Sequence, residues 1–533
     1  MKKALTLITY LVLLPLLAKA QIFGPQDSNN DTFNSIRQNS VSTMAAYGDT
    51  LWISPALNRN IANESDWFSP PNADSVYNGV GRVFSLSLSQ DTVVAGLGFT
   101  SETTNGSIPS GYGFYISIDG GSTWDFNPFP TDPEPSGDCA TDSDSYDPDC
   151  DIAFNYGGET YYRVRNTVRE QSPPYSIDHH GDVILAASWA SGLLRSSDLG
   201  ESWEKIILPP FNSEELNPDN SYQWNSTVNG QDLNRYDPRF DNNLLGFGLL
   251  IDSQDRVWFG SAGGVNISDN ALTAPTDSIR WRHIRFNNGS DGLLGNWVIR
   301  IREDASTGRI WLTNWVADTQ ESQGLVYTDD GGDTFRQTLI GERINDIGFK
   351  DGYVFAAGDN GLFISNDGGD SWIRSPQIMS PNAFIKSNAQ FYSVASTTDR
   401  VWIGTEDGLA STNDLGQNWE ITRVNFPLQG GNIYQPDAKS VTSYAYPNPF
   451  SPRIHEVVRI KFEITETQNT KIRIFDRSMN LVREIKGTQT SSGTYEAIWD
   501  GKDSQGRTVP TGPYIYVIES GNRQISGKIL LTG

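Results

Sequence analysis

The densest group of candidate metal ligands in the sequence lies between residues 138 and 151, in the stretch GDCATDSDSYDPDCD. Carboxylates this close in sequence repel one another unless a cation neutralises them. A hard cation with oxygen ligands, calcium first, suits such a group. The alternative is a solvated acidic loop without metal. Asp138 opens the group, and the predicted ligands are Asp142, Asp144, Asp147, Asp149 and Asp151.

Cys139 and Cys150 frame this acidic loop and are the two cysteines of the chain. In an exported protein, two cysteines close in sequence predict a disulfide bond. The Asp-x-Asp spacing resembles the calcium loops of thrombospondin type 3 repeats, and the resemblance implies calcium as a cofactor. The glycine that tightens such loops is missing here, and Tyr146 lies nearby instead.

Two further groups could contact a ligand. His179 and His180 lie in SIDHHGDV, but adjacent residues of a strand point to opposite faces, so the pair would chelate one metal poorly. Their alternative role is an exposed turn. Exposed aromatic rings suit stacking on sugar rings, and three tryptophans lie near predicted strand ends. Their alternative role is packing within the sheets. The candidates are Trp189, Trp297 and Trp315.

Other chemistries find little support in the sequence. No zinc-binding histidine or cysteine spacing, phosphate-binding glycine loop or nucleophile elbow is present. The formal net charge of −24 disfavours nucleic acids and anionic membranes as partners. Acidic residues are too numerous for the sequence to single out a catalytic pair of carboxylates, so whether the protein is an enzyme stays open.

The elements that would position these residues are indicated by an octet that recurs five times. SNDGGDSW begins at Ser365, and related octets begin at residues 117, 196, 328 and 412. Glycine adopts backbone angles closed to other residues, the aspartate accepts hydrogen bonds from turn amides, and the tryptophan anchors the turn. We therefore expect structural rather than catalytic roles for Asp119, Asp198, Asp330, Asp367 and Asp414.

The octets belong to longer repeats. Each unit has a short apolar run such as Val401-Trp402-Ile403, a glycine-containing turn, a second run, the octet and a final strand, with an introductory strand before it. Seven such four-stranded units are centred near residues 55, 110, 190, 265, 320, 360 and 410. The pattern predicts an all-β fold in which residues 21–438 form a seven-bladed β-propeller.

The octets resemble the Asp boxes of sialidase-type propellers, and VWIGTEDGL and VWFGSAGGV resemble repeats of sensor-type periplasmic propellers. In such families the Asp boxes lie on outer hairpins, away from the central axis. The Arg-Ile-Pro motif of sialidases has no match here. The nearest arginine, Arg82, lacks the following proline. Arg300 and Arg302 could face a pocket, but we expect them to be ordinary surface arginines, and sialidase activity is not expected.

After Pro436 the sequence changes to alternating strands, and residues 439–533 predict an immunoglobulin-like β-sandwich. The motifs YPNPF from Tyr446, WDG from Trp499 and PTG from Pro510 resemble the flagellar hook-cap Ig-like module and the C-terminal sorting domain of type IX secretion. The sorting resemblance implies a Gram-negative bacterium and the secretion machinery as a partner. The alternative is a purely structural Ig domain.

The N-terminus has the pattern of a secretory signal peptide. Two lysines precede an apolar run and the small-x-small site Ala18-Lys19-Ala20, which predicts a signal peptide over residues 1–20 and cleavage before Gln21. The apolar run is too short for a membrane anchor, and we expect no membrane span in the mature chain.

Together these features predict a secreted or cell-surface protein of a Gram-negative bacterium. We expect it to bind an extracellular glycan or protein through the propeller and to be exported through its C-terminal domain. One alternative is a glycoside hydrolase acting on a polysaccharide. A second is an accessory component of the export or surface-attachment machinery.

Overall fold

The computed structural model of the protein describes residues 31–33, 35–61, 66–70, 81–104, 106–135, 150–228, 230–380, 383–424, 442–465, 468–489 and 492–533. The predicted signal peptide and the predicted boundary after residue 438 lie outside these ranges. None of the described helices is long and apolar enough to cross a membrane. Helical structure in the described ranges is limited to two single-turn 3-10 helices, Asn242–Leu244 and Thr276–Ser278.

Seven antiparallel sheets, named sheets 1 to 7, follow one another along the first part of the chain. Sheets 1 to 4 contain the following strands. Sheet 1 consists of Asp31–Phe33, Met44–Tyr47, Thr50–Ile53, Asn58–Ile61 and Trp67–Ser69. Sheet 2 consists of Arg82–Ser89, Thr92–Thr103, Gly106–Ser117 and Asp125–Pro128. Sheet 3 consists of Pro174–His180, Val183–Ser188, Gly192–Ser196 and Glu204–Ile206. Sheet 4 consists of Glu215–Leu216, Gly246–Ile251, Val257–Ser261, Gly264–Ser268 and Trp281–Ile284.

The other three sheets have four strands each. Sheet 5 consists of Trp297–Asp304, Arg309–Trp315, Gly324–Thr328 and Arg336–Thr338. Sheet 6 consists of Ile344–Lys350, Tyr353–Gly358, Gly361–Ser365 and Ile373–Arg374. Sheet 7 consists of Phe391–Ser396, Val401–Thr405, Gly408–Thr412 and Glu420–Thr422. Three separate hairpins pair Ile152–Tyr156 with Glu159–Arg163, Asn225–Val228 with Gln231–Asn234, and Met379–Ser380 with Ala383–Phe384.

Sheets 1 and 4 differ from the predicted four-stranded unit, because an earlier segment adds a fifth strand at the outer edge of each. Asp31–Phe33 pairs with Trp67–Ser69, and Glu215–Leu216 pairs with Trp281–Ile284. These additions were not visible in the repeat pattern.

The sheets close into a ring. The innermost strand of each sheet, which begins at residue 44, 82, 174, 246, 297, 344 or 391, contacts the innermost strands of the sheets on both sides, and sheet 7 contacts sheet 1. Across this closure the Val41 amide donates to the Thr405 carbonyl at 3.0 Å, and the Thr398 amide donates to the Gly48 carbonyl at 2.9 Å. The all-β class and the propeller architecture are confirmed.

The inner strands all run in the same direction along the axis. Residues from the later part of every inner strand line one cavity of about 570 Å³, among them Ala46, Leu88, Asp178, Leu250, Asp304, Phe349 and Ser396. We call this end of the ring the strand-end face. The opposite end, where the inner strands begin, is the strand-start face.

The octets form the turns between the third and fourth strands of sheets 2, 3, 5, 6 and 7. In sheet 6 the Gly369 amide donates to the Ser365 hydroxyl at 2.8 Å, and Asp367 accepts from the Ser371 amide at 2.9 Å. Bonds from the Ser371 hydroxyl and amide hold the pKa of Asp367 at about 2.

The second glycine of the octet also explains the link between neighbouring sheets. A Cβ at Gly121 would lie 2.5 Å from Trp52, and one at Gly369 would lie 2.4 Å from Trp311. Trp52 and Trp311 are fully buried residues of sheets 1 and 5, so these two turns pack on a tryptophan of the preceding sheet. The octets therefore join the sheets as well as turning the chain.

The C-terminal part is a two-sheet β-sandwich of seven strands. One sheet contains Ser443–Tyr446, Val458–Ile464 and Gly493–Trp499, and the other contains Leu481–Gln489, Gln468–Phe475, Gly512–Ser520 and Arg523–Leu531. Alternating residues of both sheets form a shared core that includes Phe450, Trp499, Tyr514 and Tyr516. This arrangement confirms the predicted Ig-like domain.

Candidate functional site

The strand-start face is shaped by a bulge that recurs near the beginning of the inner strands. In sheet 2 the register of the inner strand shifts between Val83 and Ser85, and in sheet 3 it shifts between Pro174 and Ser176. Equivalent shifts occur in sheets 4, 5, 6 and 7. A bulged residue has no partner across the ladder and its side chain is re-aimed. The residues between the shifted pairs include Phe84, Tyr175 and Phe247.

These bulged aromatic residues meet two of the predicted tryptophans. Trp297 begins the inner strand of sheet 5, and Trp189 follows the second strand of sheet 3, so both lie on the strand-start face. All five side chains are partly buried. We call this group the aromatic patch; it consists of Phe84, Tyr175, Trp189, Phe247 and Trp297.

The rings of the aromatic patch are contiguous. The ring centroids of Trp189 and Trp297 lie 5.7 Å apart, and that of Phe247 lies 5.0 Å from Trp189 and 5.2 Å from Trp297. Tyr175 continues the chain at 6.1 Å from Phe247 and 6.0 Å from Phe84. Separations in this range are those of favourable tilted and edge-to-face aromatic pairs. The contacts hold the rings in place and leave each one partly open to solvent.

Arginines flank the aromatic patch in two different ways. Arg82 is exposed, and its guanidinium carbon lies 4.5 Å above the Phe84 ring. The Nη1 of Arg300 is 3.5 Å from the Tyr175 carbonyl oxygen, and its Nε is 3.9 Å from Asp346. Arg302 is 3.1 Å from the same buried carboxylate. Asp346 therefore holds Arg300 and Arg302 between sheets 5 and 6.

Trp315, the third predicted tryptophan, pairs with Trp297 across the ladder of sheet 5. Its Nε1 donates to the Ile344 carbonyl at 2.8 Å, and the guanidinium carbon of Arg343 lies 3.8 Å from its ring centroid. One face of the Trp315 ring is therefore already occupied, and we do not include it in the patch.

The segment that precedes sheet 3, residues 150–173, supports the loop that carries Trp189. The hydroxyl of Ser191, two residues after Trp189, lies 2.9 Å from the Ser172 hydroxyl. It also accepts a hydrogen bond from the side-chain amide of Asn166. Residues 150–173 pack through aromatic contacts such as Phe154–Trp224 on residues 207–245. The loop that carries Trp189 is therefore tied through Ser191 to residues 150–173.

The two predicted histidines are separated by the structure. His179 is buried, and its Nδ1 and Nε2 each lie 2.7 Å from a serine hydroxyl of sheet 2, Ser87 and Ser89 respectively. Burial lowers the pKa of His179. His180 is exposed on the strand-end face, and its Nδ1 is 3.0 Å from Asp255. His179 joins two sheets, so the pair does not converge on one ligand.

The cavity at the strand-end face is lined by carboxylates that already have partners. Asp178 accepts from the Ile251 amide at 2.8 Å and the His179 amide at 2.9 Å, and burial raises its pKa. Glu303 accepts from the Ser253 amide at 2.8 Å. Asp304 accepts from Ser306 within its own turn. These carboxylates shape the strand ends and do not form an evident catalytic pair.

Most of the acidic loop lies outside the described residues, including Cys139, Asp138, Asp142, Asp144, Asp147 and Asp149. The disulfide and the calcium site therefore stay predictions. Asp151 is described, and its carboxylate lies 3.5 Å from Nη1 of the buried Arg235. Among the described residues no group of three or more His, Cys, Asp or Glu side chains could hold a metal ion.

The sequence indicated Trp189 and Trp297 but not the three bulged aromatic residues, one in each of sheets 2, 3 and 4. A bulge leaves no signature in single-strand alternation. Comparing the first residues of the seven inner strands could have indicated the aromatic positions, because Phe84, Tyr175 and Phe247 occupy equivalent places in successive repeats.

Comparisons with known proteins give one family match and several distant structures. No curated protein matches the chain. PorZ, described as an essential bacterial surface component of the type-IX secretion system of Porphyromonas gingivalis, is 13% identical, with a TM-score of 0.41. The alignment covers 93% of this chain and 66% of PorZ.

Two further structures are similarly distant. The Niastella koreensis GH74 enzyme is 12% identical over 92% of this chain and 73% of that chain, with a TM-score of 0.44. YCF48 from Cyanidioschyzon merolae is 14% identical over 70% of this chain and 94% of that chain, with a TM-score of 0.40. At such identities and TM-scores these structures do not bear on function. Residues 455–524 match the FlgD Ig-like domain family, so the chain is a β-propeller followed by a domain similar to that family.

Proposed function

We propose that this is a secreted or cell-surface binding protein whose aromatic patch contacts an extracellular glycan or protein. The observation that carries the proposal is the contiguous contact of Trp189, Phe247 and Trp297 at the opening of the strand-start face. Rigid, partly exposed aromatic rings stack on the apolar faces of sugars and also dominate the energetics of protein interfaces.

The same patch also favours binding over catalysis. Arg82 and Arg300 contact the patch, and the nearby carboxylate of Asp346 is fully buried between two arginines. A glycoside hydrolase needs two carboxyl groups facing each other across the substrate. Hydrolysis is therefore an outcome that the experiment must test, and binding is the function that the geometry supports.

The proposal is tested with the mature protein, beginning at Gln21, and its Trp297→Ala variant. Both are applied to a glycan array, to polysaccharide hydrolysis assays and to a panel of extracellular proteins. Removal of one stacking ring is expected to weaken binding by about tenfold, which corresponds to about 1.4 kcal/mol. Tyr47→Ala is the matched control, because Tyr47 is 50% exposed and lies on the strand-end face.

Equal binding by the Trp297→Ala and Tyr47→Ala variants would show that the patch is not the contact surface. Release of sugar from a polysaccharide by the unaltered protein would favour the hydrolase instead. Unchanged thermal unfolding of Trp297→Ala excludes a general loss of structure as the cause of weaker binding.

We further propose that the Ig-like domain directs export across the outer membrane. Its support is the match of residues 455–524 to the FlgD Ig-like family together with the motifs from Tyr446, Trp499 and Pro510, which resemble those of a sorting domain. Removal of residues 439–533 is expected to leave the protein in the periplasm. Full release of the shortened protein into the medium would refute this role.

A further inference from the structure

Four charged side chains form a closed ring between the propeller and the Ig-like domain. Arg423 of the propeller lies 3.0 Å from Asp407 and 3.1 Å from Glu496. Arg459 of the Ig-like domain lies 2.7 Å from Asp407 and 3.5 Å from Glu496. Each cation thus contacts both anions, and each domain supplies one cation and one anion. We call this group the charge ring; it consists of Asp407, Arg423, Arg459 and Glu496.

The charge ring is removed from solvent. The side chains of Arg423 and Arg459 are 1% and 2% exposed, and those of Glu496 and Asp407 are 7% and 11% exposed. Buried charges are costly unless they are paired and hydrogen-bonded. Within the ring each charge has two opposite neighbours, and Glu496 has a third in Lys461, whose Nζ lies 3.7 Å from its carboxylate.

Neutral and aromatic contacts surround the charge ring. The Phe384 carbonyl accepts a hydrogen bond from Arg459 at 2.9 Å, and the guanidinium carbon of Arg459 lies 4.9 Å from the Phe384 ring centroid. The Tyr444 hydroxyl donates to the Val424 carbonyl at 2.9 Å. These contacts link the same two domains and exclude water from the ring.

The electrostatic design of the interface favours assembly of two preformed halves. Asp407 and Arg423 already pair within the propeller, and Arg459 and Glu496 lie within 3.5 Å of each other in the Ig-like domain. Neither half presents an unpaired charge, and docking gives each side chain of the charge ring one more opposite partner; Glu496 also contacts Lys461 of its own domain. A surface without this alternation would leave a charge buried beside a like charge, which makes the fit selective.

We propose that this surface is a specific docking site for the chain's own Ig-like domain, strong enough to hold that domain after the connection between Val424 and Thr442 is cut. The partner is therefore the C-terminal part of the same chain, and the two domains act as one unit through non-covalent contacts. This inference does not depend on the ligand of the aromatic patch.

The test uses the mature full-length chain with a site for a specific protease inserted between Val424 and Thr442. In the uncut chain the connection keeps the domains at a high effective concentration and hides the strength of the contact. After complete cutting, the fragments are applied to gel filtration at about 1 µM, where a complex with a lower Kd stays associated. We expect both fragments in one peak. Addition of about 0.5 M NaCl should not separate them, since salt screens buried pairs weakly.

Arg459→Ala is expected to weaken the association of the cut fragments by at least about a hundredfold, because Asp407 then loses its cation from the Ig-like domain and shares the Arg423 guanidinium with Glu496, which keeps Lys461 as a neighbour. Glu496→Gln is the second variant; it keeps the shape of the side chain and removes one negative charge. Arg473→Ala is the matched control, since Arg473 lies in the same domain and also contacts two glutamates, Glu484 and Glu519, away from the propeller.

The thermal unfolding of each uncut variant is recorded to show that it is folded. Separation of the unaltered fragments after cutting would overturn the proposal. Equal retention of the Arg459→Ala, Glu496→Gln and Arg473→Ala fragments would overturn it as well, because the contact would then not depend on the charge ring.

Discussion

Gly369 offers the sharpest test of how the sheets are joined. Its φ of +96° lies in the left-handed region, and an alanine Cβ would lie 2.4 Å from the ring of Trp311, which is fully buried in sheet 5. The left-handed conformation costs an alanine about 1–2 kcal/mol, and forcing an extra carbon into a packed core costs about 1–3 kcal/mol. Gly369→Ala should therefore lower the free energy of unfolding by about 2–5 kcal/mol.

Gly352→Ala is the matched control. Gly352 has a φ of +80°, but a Cβ there would meet nothing within 4 Å, so only the backbone strain of about 1–2 kcal/mol applies. Denaturant unfolding followed by tryptophan fluorescence measures both variants. Equal losses of stability at the two glycines would refute the argument that the octet glycine is needed for contact with the preceding sheet.

The buried histidine and the acidic loop lead to three further predictions. Burial lowers the pKa of His179 below its usual 6.5, so the unfolded chain takes up a proton first and stability should fall as pH drops below about 6.5. His179→Gln should reduce this slope by up to about 1.4 kcal/mol per pH unit, measured by denaturant unfolding between pH 5 and 7 as the approximate window; an unchanged slope would contradict the assignment. Reduction and alkylation should add mass at Cys139 and Cys150, whereas free thiols in the native protein would rule out the predicted disulfide. We also propose that chelation of calcium lowers the melting temperature of the mature protein, and an identical melting curve with and without chelator would exclude a stabilising calcium site.

The architecture could be read from the sequence because its signals are local. An octet such as SNDGGDSW at Ser365 contains its own turn chemistry, and the apolar run from Val401 specifies a buried strand without reference to the rest of the chain. Five copies of one turn motif then imply repeated sheets. The Ig-like domain could be recognised for the same reason, since its turns and alternating strands are encoded over short stretches.

The site could be predicted only in part. Trp189 and Trp297 stood out by residue type and by their place at strand ends. Nothing in the sequence indicates that their ring centroids lie 5.7 Å apart. That proximity depends on the lateral packing of the inner strands of sheets 3, 4 and 5. The orientation of Tyr175 depends on a bulge, which is a property of strand pairing and not of one strand.

Sequence alone determined the class of fold, the order of the domains and the residues that make the turns, because each of these depends on neighbours along the chain. Tertiary structure alone decided that His179 is buried between two sheets and that Arg459 meets Asp407 across the domains. Burial and charge pairing arise between residues about 50 to 90 positions apart, and their energy depends on the distance and the loss of solvent that only the folded chain establishes.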